Sequence, residues 1–419
     1  MARVQPFTAV VPDPSHAAAV IAPPYDVLSE GRARSIAAER RSFVRVTRSE
    51  VDLPEGTDPH SDAAYQQART TLDAFLDDGL LRQLDDATYL FYGQTFHPPE
   101  DAPHRGVHRQ IGILAAASVA EYDDGRIARH EYTRPDKEDD RTHHMHVLDA
   151  QVGLVFLAYR PTDALDAITR RVTAGAPEWQ VTTEDGVEHT LWKAPSADVA
   201  AIEAAFADVP RLYIADGHHR SAAASRIHAD RQDAPSASFL AGLYPSDRLL
   251  VMAYNRVVHD LNGLTPDAFL ARIRDQWQVT PTPSDTPEEK GAFRMFLGGR
   301  WYALAARPDL PVDPTDPVAT LDVALLQDHL LGPVLGIDDP RRSTRITFVG
   351  GIHGAAALAA GVEAEEARSG EPAVAFHLFP TSLDELFAVA DAGEVMPPKS
   401  TWFEPKLREG VAVRLLRPA

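Results

Sequence analysis

Between Leu212 and Arg226 the sequence reads LYIADGHHRSAAASR. An apolar run ends on Asp216, a glycine follows, and two histidines and an arginine precede an alanine-rich stretch. Gly217 permits a tight turn. His218, His219 and Arg220 then stand at the start of a helix, where unpaired backbone N–H groups and the helix dipole favour an anion. Asp216, at the strand end, can cap the helix, bind a metal or act as a base. A capped helix with surface histidines is the plainer alternative. The order strand, Asp-Gly-His-His-Arg, helix is unusual for a plain turn and argues for an anion site.

Three other segments carry comparable chemistry. Residues 129–146 read RHEYTRPDKEDDRTHHMH and hold four of the 17 histidines, which sets them apart from an ordinary solvated loop. Arg129, Lys137 and Arg141 form a set able to clamp a phosphate, and Glu131 and Asp140 can serve as base or metal ligand. Residues 396–406 read MPPKSTWFEPK. The Pro-Pro pair stiffens a loop that presents Lys399, Ser400 and Thr401, with Lys406 further on; packing by Trp402 and Phe403 is the structural alternative. Residues 22–29, APPYDVLS, repeat the Pro-Pro stiffening and expose Tyr25 and Asp26. By itself this last segment reads as a turn.

The elements that must position these residues are partly readable. Ser61 is expected to cap a helix over 62–78 ending at Gly79, and Ser196 one over 197–207. Thr265 and Pro266 start a helix predicted through Trp277. Ser382 and Glu385 form a capping box for 383–391. Apolar runs at 88–92, 111–119, 152–159, 211–215, 249–258, 346–349 and 373–379 read as strands. Pro- and Asp-rich stretches at 51–60, 97–104, 280–289 and 307–317 read as loops. Helices and strands mix without strict alternation, which predicts an α+β (mixed α/β) fold. A boundary near residue 260 gives regions 1–260 and 261–419.

The chain has 419 residues, enough for two or three domains, and no cysteine. Disulfides, thiolate metal sites and cysteine nucleophiles are therefore excluded. The net charge of −20 disfavours nonspecific nucleic-acid binding. The first residues lack a signal-peptide pattern, and no run of eighteen apolar residues occurs. The expectation is a cytoplasmic protein with no membrane partner. No Walker loop, dinucleotide fingerprint or nucleophile elbow is present. HEYTR at 130–134 lacks the second histidine of a zincin. His104 with His108, and His143, His144 and His146, are weak zinc candidates, and no protein metal site is assigned.

Taken together and in order, four motifs resemble the uncharacterised prokaryotic family Domain of Unknown Function 1015. They are Pro23-Pro24-Tyr25-Asp26, the stretch from Arg129-His130-Glu131 to Asp140-Arg141, Asp216-Gly217-His218-His219-Arg220, and Met396-Pro397-Pro398-Lys399-Ser400-Thr401. The Asp216–Arg220 segment alone is similar to the phosphate-binding turn of the ParB-like fold, whose relatives include sulfiredoxin and archaeal free-serine kinases. That resemblance implies a ParB-like N-terminal region beside a C-terminal α/β domain. It also implies that His218, His219 and Arg220 hold nucleotide phosphates, with Asp216 or Glu131 as base. Sulfiredoxin chemistry is excluded because it needs a cysteine.

The reading that follows is a nucleotide-dependent phosphotransferase, a kinase of a small hydroxyl-bearing metabolite such as a free hydroxy amino acid. It would use Mg²⁺ with ATP or ADP. Gly217, Tyr25, Asp26, Lys399, Ser400 and Thr401 join the binding set, with His218 beside the two carboxylates in catalysis. Two alternatives stand beside it. One is a non-catalytic binder of a nucleotide or other small phosphorylated ligand. The other is a metal-dependent hydrolase or lyase using histidines of 130–146 with Asp216.

Overall fold

A computed structural model describes residues 2–98 and 106–417; His104 lies outside the described residues. The fold is mixed α/β. The chain divides into two compact units, Met1–Phe96 with Arg109–Leu249 and Pro405–Ala419, and His97–His108 with Leu250–Glu404.

The first unit is built on a nine-stranded sheet. Its strands are β1 (Val4–Gln5), β2 (Leu90–Phe96), β3 (His108–Ser118), β4 (Ile127–Ala128), β5 (Val155–Tyr159), β6 (Trp179–Thr182), β7 (Glu188–Lys193), β8 (Leu212–Asp216) and β9 (Ser238–Pro245). Their order is β4-β8-β5-β9-β3-β2-β7-β6, with β1 paired to β3. β8 runs parallel to β4 and β9 parallel to β5; the other pairs are antiparallel. The main helices are α1 (Asp62–Asp77), α2 (Pro135–Leu148), α3 (Asp163–Thr173), α4 (Val199–Ala207) and α5 (His218–Arg231).

Alternation along the strands sends every second side chain to one face. Ile113, Ala115 and Ala117 of β3, Val155 and Leu157 of β5, and Leu212 and Ile214 of β8 all enter one core. There they meet Leu165 and Ile168 of α3, Ile202 and Phe206 of α4, and Ala222 to Ala224 with Ile227 of α5. A second core joins Ala68, Leu72 and Phe75 of α1 to Phe43, Leu148 and Val413. α1 begins as expected, with the Ser61 hydroxyl accepting from the Ala64 N–H. Ser196 does not cap: it opens the 3-10 turn Ser196–Asp198 that leads into α4.

α2 covers most of the 129–146 segment, from Pro135, and runs on to Leu148. Pro135 occupies its first turn, where a missing N–H costs nothing. Its buried positions are Asp140, His144, Met145 and Leu148, so its inner face is half polar. Hydrophobic periodicity therefore gives no sign of it.

The second unit holds a six-stranded antiparallel sheet. Its strands are β10 (Tyr254–Val258), β11 (Trp277–Pro281), β12 (Ala292–Leu297), β13 (Arg300–Ala306), β14 (Ile346–Gly350) and β15 (Val374–His377), in the order β11-β13-β12-β15-β10-β14. The helix begun at Pro266 ends at Ile273, short of Trp277. Trp277 instead opens β11, fully buried against Phe293 with its indole N–H donated to the His329 carbonyl. The run 249–258 is two strands, Leu250–Met252 and β10, because the Ala253 carbonyl turns aside to accept the Gly351 N–H. The Ser382–Glu385 capping box forms. No described helix is long and apolar enough to cross a membrane.

Candidate functional site

Strand β8 ends at Asp216, Gly217 is the N-cap, and His218 starts α5. Gly217 has φ +97°, and a Cβ there would lie 3.3 Å from both the Arg220 Nε and the Val155 Cα. Backbone conformation and space both require glycine. No side chain caps α5; the Arg220 N–H is bonded to the Gly217 carbonyl, so the N–H groups of His218 and His219 and the helix dipole are what the helix start offers an anion.

The three residues after Gly217 go to different places. His218 is buried and meets His130 edge to face, with ring centroids 4.6 Å apart at 87°. Neither His130 Nδ1 nor His218 Nε2 has a hydrogen-bond partner. His130 also hydrogen-bonds the Ile214 carbonyl of β8. Burial pushes the His130 imidazole down to about 4 and holds His218 well below the usual histidine range. Glu131 brings a carboxylate oxygen so that one donor atom from each of His130, Glu131 and His218 lies within 4.8 Å of the others. His219 Nε2 accepts the Arg134 N–H at 3.0 Å, tying α5 to the start of α2. Burial, and then Arg134, lower its proton affinity.

Arg220 turns back beneath the sheet end. Its guanidinium donates to the Leu154 carbonyl and lies 3.8 Å from Asp216. A Cβ at Gly153 would sit 3.2 Å from the Arg220 Cδ, so Gly153 makes room for it. Burial alone would raise the Asp216 carboxyl. Lys406, whose Nζ is 3.4 Å away, outweighs it together with Arg220 and the Gly217 N–H, and holds the carboxyl at about 2.

Beside this turn is a small cavity, with about 30 Å³ of space for water-sized groups, lined among others by Tyr25, Thr47, Arg141, Gly153, Arg220 and Glu409. The Arg141 guanidinium lies over the Tyr25 ring, 4.1 Å from its centroid. Arg141 also pairs with Asp140 at 2.7 Å. Asp140 in turn accepts the Tyr65 hydroxyl at 2.8 Å and contacts His60 at 2.9 Å. Glu409 is buried, and burial pushes its carboxyl up to about 7.

The fold thus gathers Tyr25, Arg141 and Arg220 at one cleft, places Asp216 against Arg220 and Lys406, and brings Glu131 to His218. Tyr25 is half-buried rather than exposed, because Arg141 covers its ring. Asp26 is exposed beside it. The Arg129 guanidinium lies 5.1 Å from the Tyr122 ring. Lys137 precedes Arg141 by one turn of α2 and is not among the cleft's lining residues. Among His143, His144 and His146, His144 is buried and spends Nε2 on the Val46 carbonyl, while His143 faces Asp62 and Tyr65.

Lys399, Ser400 and Thr401 belong to the second unit. Lys399 has φ +58°. Its ammonium lies 5.2 Å from the Tyr254 ring centroid and its carbonyl accepts from Arg256. The Ser400 hydroxyl donates to the Pro397 carbonyl at 2.6 Å, and the Ser400 carbonyl accepts from Thr381 at 3.0 Å. Thr401 is half-buried.

Sequence reasoning missed Glu409 altogether and read Lys406 only as a neighbour of the Lys399 loop. Their local signal is slight, a charged pair of residues within a C-terminal stretch. His130 entered the sequence reading among the histidines of 130–146 in the metal-dependent alternative, without His218 as its neighbour.

The family model "Protein of unknown function (DUF1015)" matches residues 4–324. No curated protein matches the sequence. Among solved structures, the chain is similar to a free serine kinase in complex with ADP, at 13% identity and TM-score 0.34, covering 74% of this chain and 92% of that one. It is similar to C-terminally truncated SbnI from Staphylococcus aureus, at 11% identity and TM-score 0.35, covering 70% and 84%. A conserved hypothetical protein from Pyrococcus furiosus gives 13% identity and TM-score 0.32, covering 70% and 90%.

Proposed function

The chain belongs to the DUF1015 family, whose description assigns no reaction, and we propose from its site that it is a nucleotide-dependent phosphotransferase acting on a small hydroxyl-bearing metabolite. The observation that carries this reading is the meeting of Arg141, Arg220 and Tyr25, from three distant segments, at one cleft beside Asp216 and the uncapped start of α5.

Phosphoryl transfer asks chiefly for positioned positive charge and a group to receive the acceptor's proton. Arg141, Arg220 and Lys406 supply the charge, and the first N–H groups of α5 add to it. The Asp216 carboxylate, held ionised, takes the proton of the acceptor hydroxyl. These cations and the uncapped helix start fit a polyphosphate; the nucleotide with Mg²⁺ supplies the transferable phosphoryl group. Asp26 and Glu131 flank the cleft and the turn and complete the proposed set.

A thermal-shift series with ATP and ADP, each with Mg²⁺, tests the binding half. Stabilisation that grows with ligand concentration is expected, and phosphate transfer to free hydroxy amino acids, followed by phosphorus NMR, tests the chemistry. No shift with any nucleotide up to millimolar concentration would remove the reading. A shift without transfer to any acceptor would leave the second reading, a non-catalytic binder that uses the same cations.

A further inference from the structure

His130 and His218, whose rings meet beside the turn, take no part in the proton transfer proposed for Asp216. His130 and His218 are both more than nine-tenths buried. His130 Nδ1 and His218 Nε2 are nonetheless left without any hydrogen-bond partner. Buried polar atoms are almost always satisfied, and an exception calls for a specific reason. Two such atoms on rings in mutual contact, 4.6 Å between centroids, share one reason more economically than two.

We propose that His130, His218 and Glu131 bind a single divalent transition-metal ion. One donor atom from each residue already lies within 4.8 Å of the others. Metal–ligand bonds of roughly 2.0–2.2 Å place neighbouring donors about 3–4 Å apart, a distance that a modest rotation of the more open Glu131 side chain supplies. The two unpartnered nitrogens, one on each ring, are the atoms assigned here to the ion.

The surroundings fit as well. The hydrogen bond from His130 to the Ile214 carbonyl fixes that ring, as outer-sphere partners of metal-bound histidines do. Two imidazoles and one carboxylate suit Zn²⁺, Mn²⁺, Fe²⁺ or Co²⁺, whereas Mg²⁺ prefers oxygen donors and retains its water. A three-ligand set leaves a coordination position for water or substrate. Because the ion is held by protein donors alone, this site is distinct from any Mg²⁺ carried by a nucleotide, and it stands whether or not the chain is a kinase.

The test uses the full-length, untagged protein, stripped with chelating resin and titrated with Co²⁺ and with Zn²⁺ in the absence of nucleotide. One ion per chain is expected by calorimetry, with a Co²⁺ absorption spectrum showing nitrogen ligation. His218→Ala should abolish binding. Glu131→Gln, at a more open position, should keep the fold by circular dichroism and weaken binding by roughly tenfold or more, since even outer-sphere partners are worth that much. Absence of stoichiometric binding to the wild-type chain would overturn the assignment. So would affinity unchanged by Glu131→Gln and by His218→Ala in folded protein.

Discussion

The turn at 216–220 and the loop at 396–401 offer similar residues: a stiff backbone, a positive side chain and groups that hydrogen-bond phosphate. The fold treats them differently. In the loop, the Ser400 hydroxyl is spent on Pro397, and the Ser400 and Lys399 carbonyls on Thr381 and Arg256. At the turn, buried imidazole nitrogens have no partner and a helix begins uncapped. Arg141 and Arg220 line a small cavity there, although each is also paired with a carboxylate, Asp140 and Asp216 respectively. Residue type alone does not separate a binding segment from a structural one. What separates them is whether the polar groups are consumed within the fold.

The sharpest test of this contrast is Asp216→Asn. The amide keeps the size of the side chain but takes no proton. Nucleotide-induced stabilisation should persist while kcat falls by roughly 10²–10⁴, measured by a steady-state transfer assay. Retained turnover would move the base elsewhere.

Arg141→Met comes next. It removes a buried cation from Asp140, whose carboxylate keeps Tyr65 and His60 as partners. A loss of about 3 kcal/mol is expected in urea unfolding, and with it the response to nucleotide. Full stability would show that Tyr65 and His60 suffice for Asp140.

Glu409 gives a pH signature. Its carboxyl lies at about 7 in the folded protein, against an ordinary 4.5. Between these values the folded chain holds a proton that the unfolded chain releases, so stability is greatest at the acid end and is lost as pH rises to about 7. The loss amounts to at most ~3 kcal/mol. Glu409→Gln should flatten this slope when Tm is followed from pH 5 to 7.5; an unchanged slope would assign it to other groups.

The smallest effect should be at Ser400→Ala. Losing one buried hydroxyl contact costs about 1 kcal/mol and should leave the thermal shift with nucleotide intact. Loss of that shift would place the loop among the ligand's contacts and break the contrast drawn above.

Much of the fold was legible where a single local rule governs. Ser61 caps its helix, Ser382 and Glu385 close their box, and the apolar runs at 111–119 and 373–379 are strands. The hairpin β12–β13 escaped notice, although Gly298 and Gly299 at its turn, both with positive φ, are its signal. α2 was hidden because its inner face carries Asp140 and His144, which take partners from elsewhere in the chain: Tyr65, His60 and the Val46 carbonyl. Trp277 was assigned to a helix by spacing, but burial against Phe293 in a sheet decided otherwise.

The sequence by itself determined the Gly217 turn, the anion-favouring start of α5 and the absence of cysteine chemistry, because each depends on neighbouring residues or on composition. Only the tertiary structure decided which groups meet there. His130 and His218 are 88 residues apart, and Lys406 and Asp216 are 190 apart. No local periodicity encodes such pairs; they exist because β8 and the returning C-terminal residues are held in place by cores formed elsewhere along the chain.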